Sequence, residues 1–118
     1  MIDRYSRPEM ARIWSEENRF QKWLQVELWA AEALSHEGRV PPEVIPRIKK
    51  RARVDVNRIR GFEKKVKHEV IAFLRSVAES VGDDARFIHR GLTSSDVMDT
   101  GFALQLKEAS ALLLEDIR

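Results

Sequence analysis

Apolar residues recur along this chain at steps of three and four, and almost nowhere do they alternate with polar ones. The pattern predicts helices and hardly any strand. Pro8 suits the first turn of a short helix carrying Met10, Ile13 and Trp14. Phe20, Trp23, Leu24, Leu28, Ala31 and Leu34 mark a first long helix over residues 18–37, with Gly38 placed to end it. Trp23 and Trp29 sit at helical spacing, which favours core or interface positions over a stacking platform. Val40-Pro41-Pro42-Glu43 opens a new element with Val44, Ile45 and Ile48 as a narrow buried edge. Asp55 is placed to cap the next stretch, in which Ile59, Phe62, Val66, Val70, Phe73, Val77 and Val81 keep the same stepping. That stretch reads as one helix, or as two broken at Lys67-His68-Glu69, where charged residues crowd and His68 leaves the apolar stripe. Gly82-Asp83-Asp84 is turn chemistry, and Phe87-Ile88 is a short apolar anchor. Met98, Phe102, Leu106, Ala109, Leu113 and Ile117 then mark a helix still running at the last residue, with Glu115 and Asp116 where a true C-terminus would disfavour negative charge. The expectation is an all-α chain of about five or six helices, cut inside a long helix of a larger protein.

Composition changes this picture little. The 118 residues are sized for one modest core. With 21 Lys and Arg against 19 Asp and Glu, interspersed rather than gathered into a basic arm, nucleic acid is not indicated. Lys49-Lys50-Arg51-Ala52-Arg53 reads first as cations complementing a helix C-terminus, and only second, together with Lys64 to Lys67, as a phosphate-binding patch on a non-enzymatic module. Cysteine is absent, so disulfides and thiolate chemistry are excluded. The first residues lack the apolar core of a secretion signal and no apolar run approaches about 18 residues, which predicts a soluble, cytoplasmic protein without membrane contact.

The chemistry gathers in Phe87-Ile88-His89-Arg90-Gly91-Leu92-Thr93-Ser94-Ser95-Asp96. Gly91 lets the chain turn sharply, and Thr93 with Asp96 has capping-box spacing, Ser94 or Ser95 serving equally as the cap. One hydroxyl is enough for a cap, yet three stand in a row behind a histidine. Free helix N–H groups, hydroxyls and an imidazole together make a carboxylate or phosphate site. Physical chemistry alone leaves that site and a decorated cap equally open. It also leaves Arg4 and Tyr5 as either a frayed tail or a ligand-facing pair, and His68 as a surface residue or a functional one.

His89-Arg90-Gly91-Leu92-Thr93-Ser94-Ser95-Asp96 resembles the H-x-G-x-T-S-x-D element of the fumarase/aspartase superfamily. Arg4-Tyr5-Ser6-x-x-Glu9-Met10, the segment from Trp14 to Trp23 and Lys67-His68-Glu69-Val70 are similar to its adenylosuccinate lyase branch. The resemblance implies elimination of fumarate from adenylosuccinate, giving AMP, and from a succinyl-carboxamide ribotide of purine synthesis, without metal or organic cofactor. It implies that Arg4 and Tyr5 hold the purine nucleotide, that Lys67, His68 and Glu69 contact substrate with His68 nearest the chemistry, and that His89 neighbours the phosphate. Thr93 and Ser94 are implied to bind a succinyl carboxylate, with Ser95 and Asp96 supporting the loop. Glu69 departs from the Asp more usual in the branch, which alters where its charge falls. The resemblance further implies a homotetramer whose sites combine several subunits, with residues 1–111 as an N-terminal domain and residues 112–118 as the start of a central bundle. The remaining catalytic histidine and serine are then expected beyond Arg118, and this stretch alone is expected to be inactive.

Overall fold

Every regular element in the computed structural model, which describes residues 2–118, is helical. A 3-10 turn (Asp3–Tyr5) precedes α1 (Pro8–Ile13), α2 (Glu16–His36), α3 (Val44–Arg51), α4 (Val56–Val66) and α5 (Glu69–Val81), and a 3-10 segment (Gly82–Phe87) leads to α6 (Ser94–Ile117). Each boundary has a local cause. Pro8 opens α1, and the Ser15 side chain accepts from the Asn18 N–H at 3.2 Å to cap α2. Gly38 ends α2 at φ 77°, and the Arg39 N–H closes on the Leu34 carbonyl at 2.8 Å. Pro41 and Pro42 form the lead-in turn rather than the first turn of α3; their carbonyls accept from the N–H groups of Val44 and Ile45. Asp55 caps α4 by accepting from the Arg58 N–H at 3.0 Å.

The long periodic stretch is two helices, and the break falls at Lys67-His68. Lys67 takes a left-handed conformation, φ 53°, and closes α4 by donating its N–H to the Glu63 carbonyl at 2.8 Å. α4 and α5 fold back on one another as a hairpin, tied by the Arg58 guanidinium donating to both Glu79 oxygens at 2.8 and 2.9 Å. The hairpin covers one side of α2, while α6 runs antiparallel along another. Three aromatic rings lock the centre: Phe20 to Trp23 at 5.1 Å, Trp23 to Phe73 at 5.5 Å and Phe20 to Phe73 at 6.1 Å between centroids. Pairs of this kind contribute about 0.5–1.5 kcal/mol beyond the area they bury.

α6 turns a different face inward from the one its large residues mark. Val97, Gly101, Gln105 and Ala109 are buried, whereas Met98, Phe102, Leu106, Leu113 and Ile117 are exposed, Phe102 by 52%. The cause is Trp23. A Cβ on Gly101 would stand 2.8 Å from Trp23 Cδ1, so only a glycine lets α6 lie this close, and the small residues turn in while the large ones turn out. Trp29 is likewise no core residue, being 47% exposed on α2. No helix among the described residues is long and apolar enough to cross a membrane.

Candidate active site

The left-handed turn at Lys67 points the chain into α5 with His68 extended at its N-terminus (φ −144°, ψ 112°). His68 is exposed, and its Nδ1 accepts from the Ile71 N–H at 3.3 Å, so an imidazole occupies the cap position usually taken by a hydroxyl or carboxylate. With Nδ1 accepting, the neutral ring carries its proton on Nε2, which is left to face solvent or a ligand as a donor.

Glu69 faces the other way. Arg19 of α2 donates to its two oxygens at 2.6 and 2.9 Å, and Arg60 of α4 donates to it at 3.1 Å. Arg60 also reaches Glu63 at 2.5 Å and Glu16. The bond from Arg19, followed by the other charges of this cluster, holds the Glu69 carboxyl below the usual carboxylate range against the opposing effect of burial. Both oxygens are thereby engaged by arginines, and Glu69 makes no bond to His68. Its longer reach, compared with an Asp, is what lets it bridge three helices. Lys67 is exposed and lines an open groove with Arg60, Glu63 and Lys64.

The second half of the site is the loop into α6. His89 and Gly91 adopt positive φ, 65° and 72°. For glycine this is free, but for histidine it costs about 1–3 kcal/mol and must be held in place by its surroundings. What holds it is Glu27: its Oε1 lies 2.5 Å from His89 Nδ1. Glu27 is 1% exposed, and among the described residues its Oε2 has no hydrogen-bond partner. Burial pushes the Glu27 carboxyl up, with His89 opposing that shift. A buried carboxylate carries a desolvation cost of several kcal/mol, so a residue of this kind is not explained by packing. Sequence reasoning missed it, although a signal was there: Glu27 falls in phase with Trp23 and Ala31 on the core stripe of α2, where a carboxylate is out of place.

Thr93 is the residue that caps α6. Its Oγ1 accepts from the Asp96 N–H at 3.2 Å while Asp96 Oδ2 accepts from the Thr93 N–H at 2.8 Å, a complete capping box. Asp96 is thereby part of the α6 cap. The Thr93 O–H remains available as a donor. Ser94, half-buried, and Ser95, exposed, use their hydroxyls in no hydrogen bond among the described residues.

A cavity of about 250 Å³ lies between α5 and the segment that leads to α6, and neither His68 nor Thr93 or Ser94 lines it. Its walls are Ile71, Leu74, Arg75 and Ala78 of α5, beginning one turn after His68, and Ala85, Ile88 and His89. Arg4 and Tyr5 do not join this cluster within one chain. The Arg4 guanidinium stacks 5.0 Å from the centre of the Tyr5 ring, which is 75% exposed, and nearby Arg7 pairs with Asp116 at the far end of α6. At about 1.5 Å per residue, that end lies roughly 33 Å from Ser94. Among the described residues no cluster of three or more His, Asp or Glu side chains is arranged to hold a metal ion. Outside the site, Lys49 pairs with Glu32, Arg58 with Glu79 and Arg47 with Asp84.

Comparison with known proteins gives the family of the chain. The family described as Lyase matches residues 3–118. Adenylosuccinate lyase of Bacillus subtilis is 49% identical over 117 residues, and those of Streptococcus mutans and Staphylococcus saprophyticus are 45% and 43% identical over the same length. Each alignment covers 99% of this chain and 27% of the relative, so the chain spans about a quarter of the length of these enzymes. A crystal structure of fumarate lyase from Mesorhizobium sp. BNC1 superposes with a TM-score of 0.79 over 88% of this chain and 25% of that one; at 21% identity it speaks for the fold. A helical chain matched from its first turn to its last residue, with a histidine-capped α5 and a hydroxyl-rich start to α6, belongs to the lyase family.

Proposed function

We propose that the full-length protein is a carbon–nitrogen lyase that eliminates fumarate from adenylosuccinate to give AMP, and from the succinyl-carboxamide ribotide of the same pathway. The observation that carries this reading is the 43–49% identity to adenylosuccinate lyases across 99% of the chain. The chemistry needs a base to take a proton beside a carboxylate, donors to hold the charge that builds on that carboxylate, and an acid for the departing nitrogen. His68, with its Nε2 proton directed away from the cap bond, serves as proton-transfer or electrostatic partner at the leaving nitrogen. Thr93 and Ser94 offer O–H donors, and the free N–H groups of the α6 N-terminus add their dipole, so a succinyl carboxylate binds there. His89 meets the phosphate. Lys67 adds positive charge beside His68, and Glu69 acts through the arginine cluster that fixes the α4–α5 junction.

Arg4 and Tyr5 contribute from a second copy. Their separation from Ser94 supports this, as does the exposed stripe of Met98, Phe102, Leu106, Leu113 and Ile117, which suits burial against other helices in a homotetramer. On this reading residues 1–111 form the N-terminal domain, α6 leads into a central bundle, no cofactor is used and the enzyme works in the cytoplasm. The test is direct. Purified full-length protein incubated with adenylosuccinate is expected to release fumarate and AMP in equal amounts, and residues 1–118 alone are expected to release none. Absence of fumarate release by the full-length protein would overturn the reading.

A further inference from the structure

We infer that Glu27 is a positioning residue for the substrate's phosphate, acting only through His89; this rests on the function proposed above. Among the described residues the Glu27 carboxyl has one hydrogen-bond partner. Its Oε1 lies 2.5 Å from His89 Nδ1, and its Oε2 is buried with no hydrogen-bond partner among the described residues. The charge of Glu27 is therefore directed at one neighbour. That neighbour sits on a backbone that a histidine does not adopt by preference, φ 65°, and its ring forms part of the cavity wall.

The chemistry of the pair follows from what an imidazole needs in order to bind a phosphate. A neutral ring that donates Nδ1–H to Glu27 presents only a lone pair at Nε2, which repels an anion. A ring with a proton on Nε2 can donate to the anion, and the contact of Nδ1 with Glu27 sets where that Nε2 points. Arg75 of α5 lines the same cavity as His89, and the guanidinium groups of Arg86 and Arg90 each lie 4.8 Å from the centre of the neighbouring Phe87 ring. Glu27 is the acidic group that meets the ring. It also fixes the ring plane, because a bond of this length leaves Nδ1 little room to swing. An orienting carboxylate behind an imidazole is a common second layer of a functional site, and here it comes from the core of another helix.

The experiment is a double-mutant cycle in the full-length enzyme, using Glu27→Gln, which keeps the shape and removes the charge, His89→Ala, and the two combined. Glu27→Gln is expected to raise KM for adenylosuccinate ~10-fold, equivalent to ~1.4 kcal/mol, with kcat changed by less than about threefold, the pattern of lost binding rather than lost chemistry. In the His89→Ala background the same change is expected to move KM by less than about twofold, since the residue it acts through is gone. Additive effects, or a loss confined to kcat, would overturn the inference. A second measurement needs no variant. In wild-type protein with 15N-labelled histidine, AMP is expected to shift the His89 Nε2 resonance while Nδ1 stays protonated; an Nε2 that ignores AMP also overturns it. If the enzyme releases fumarate but the cycle is additive, the inference fails and the functional reading stands. If full-length protein neither releases fumarate nor responds to AMP, both fail.

Discussion

Two helix starts carry the candidate site, and they solve the same backbone problem differently. Each is preceded by a non-glycine residue at positive φ, Lys67 before α5 and His89 before α6, and each has a side chain accepting from the third N–H of its helix. At α5 the accepting side chain is the imidazole of His68 itself, so the cap and the candidate proton donor are two nitrogens of one ring. At α6 the cap is closed by Thr93 and Asp96, which leaves Ser94 and Ser95 outside the bond network, while His89 is held by a carboxylate from another helix. Function and stability are fused at the first start and separable at the second.

The largest expected effect tests the fusion at α5. His68→Asn keeps a good capping oxygen and removes the titrating ring, so thermal stability is expected to hold while kcat of the full-length enzyme falls ~10²–10⁴-fold, the usual worth of a positioned acid or base. His68→Ala is expected to lose the same activity and, in addition, about 1 kcal/mol of stability. Equal melting temperatures for the two variants would show that the cap bond contributes nothing.

At α6 the same comparison should split in two. Ser94→Ala is expected to raise KM ~10–100-fold, the range for a hydrogen bond to a charged group, with no change in melting temperature. Thr93→Ala removes the cap and should cost about 1 kcal/mol whatever it does to substrate binding. A destabilised Ser94→Ala would place Ser94 in the fold rather than the site.

The smallest effect concerns the ion pairs behind His68. Arg19 holds the Glu69 carboxyl below its ordinary value of 4.5, so this contribution is present above that pH and is lost as pH falls through the lower, folded-state value. Glu69→Gln is therefore expected to cost about 0.5 kcal/mol at pH 7 and to make the acid-induced fall in melting temperature between pH 5 and 3 shallower. Parallel curves for wild type and variant would remove Glu69 from the acid response.

Much of this was legible residue by residue, because caps, turns and helix periods are local. Gly38 ends α2, Asp55 caps α4, the break falls at Lys67-His68, and Thr93 with Asp96 forms the box that their spacing suggests. Thr93 alone supplies the hydroxyl of the cap, and those of Ser94 and Ser95 stay outside the bond network among the described residues. The face that α6 buries was not legible. Large apolar residues on a helix mark the core only when nothing bulky opposes them, and Trp23 sits opposite Gly101. Nor did one line of sequence give the distance between the two ends of α6, which separates Arg4 and Tyr5 from Ser94.

The sequence by itself determined that the chain is helical and where several caps and turns fall, since those depend on neighbours three or four positions away. Only the tertiary structure decided which groups meet. Glu27 and His89 are brought together by α2 lying antiparallel to α6, and Arg19, Arg60 and Glu69 by three helices converging on one junction. Such pairings are set by how close two helices can approach, and that depends on one glycine beneath one tryptophan as much as on the charges themselves.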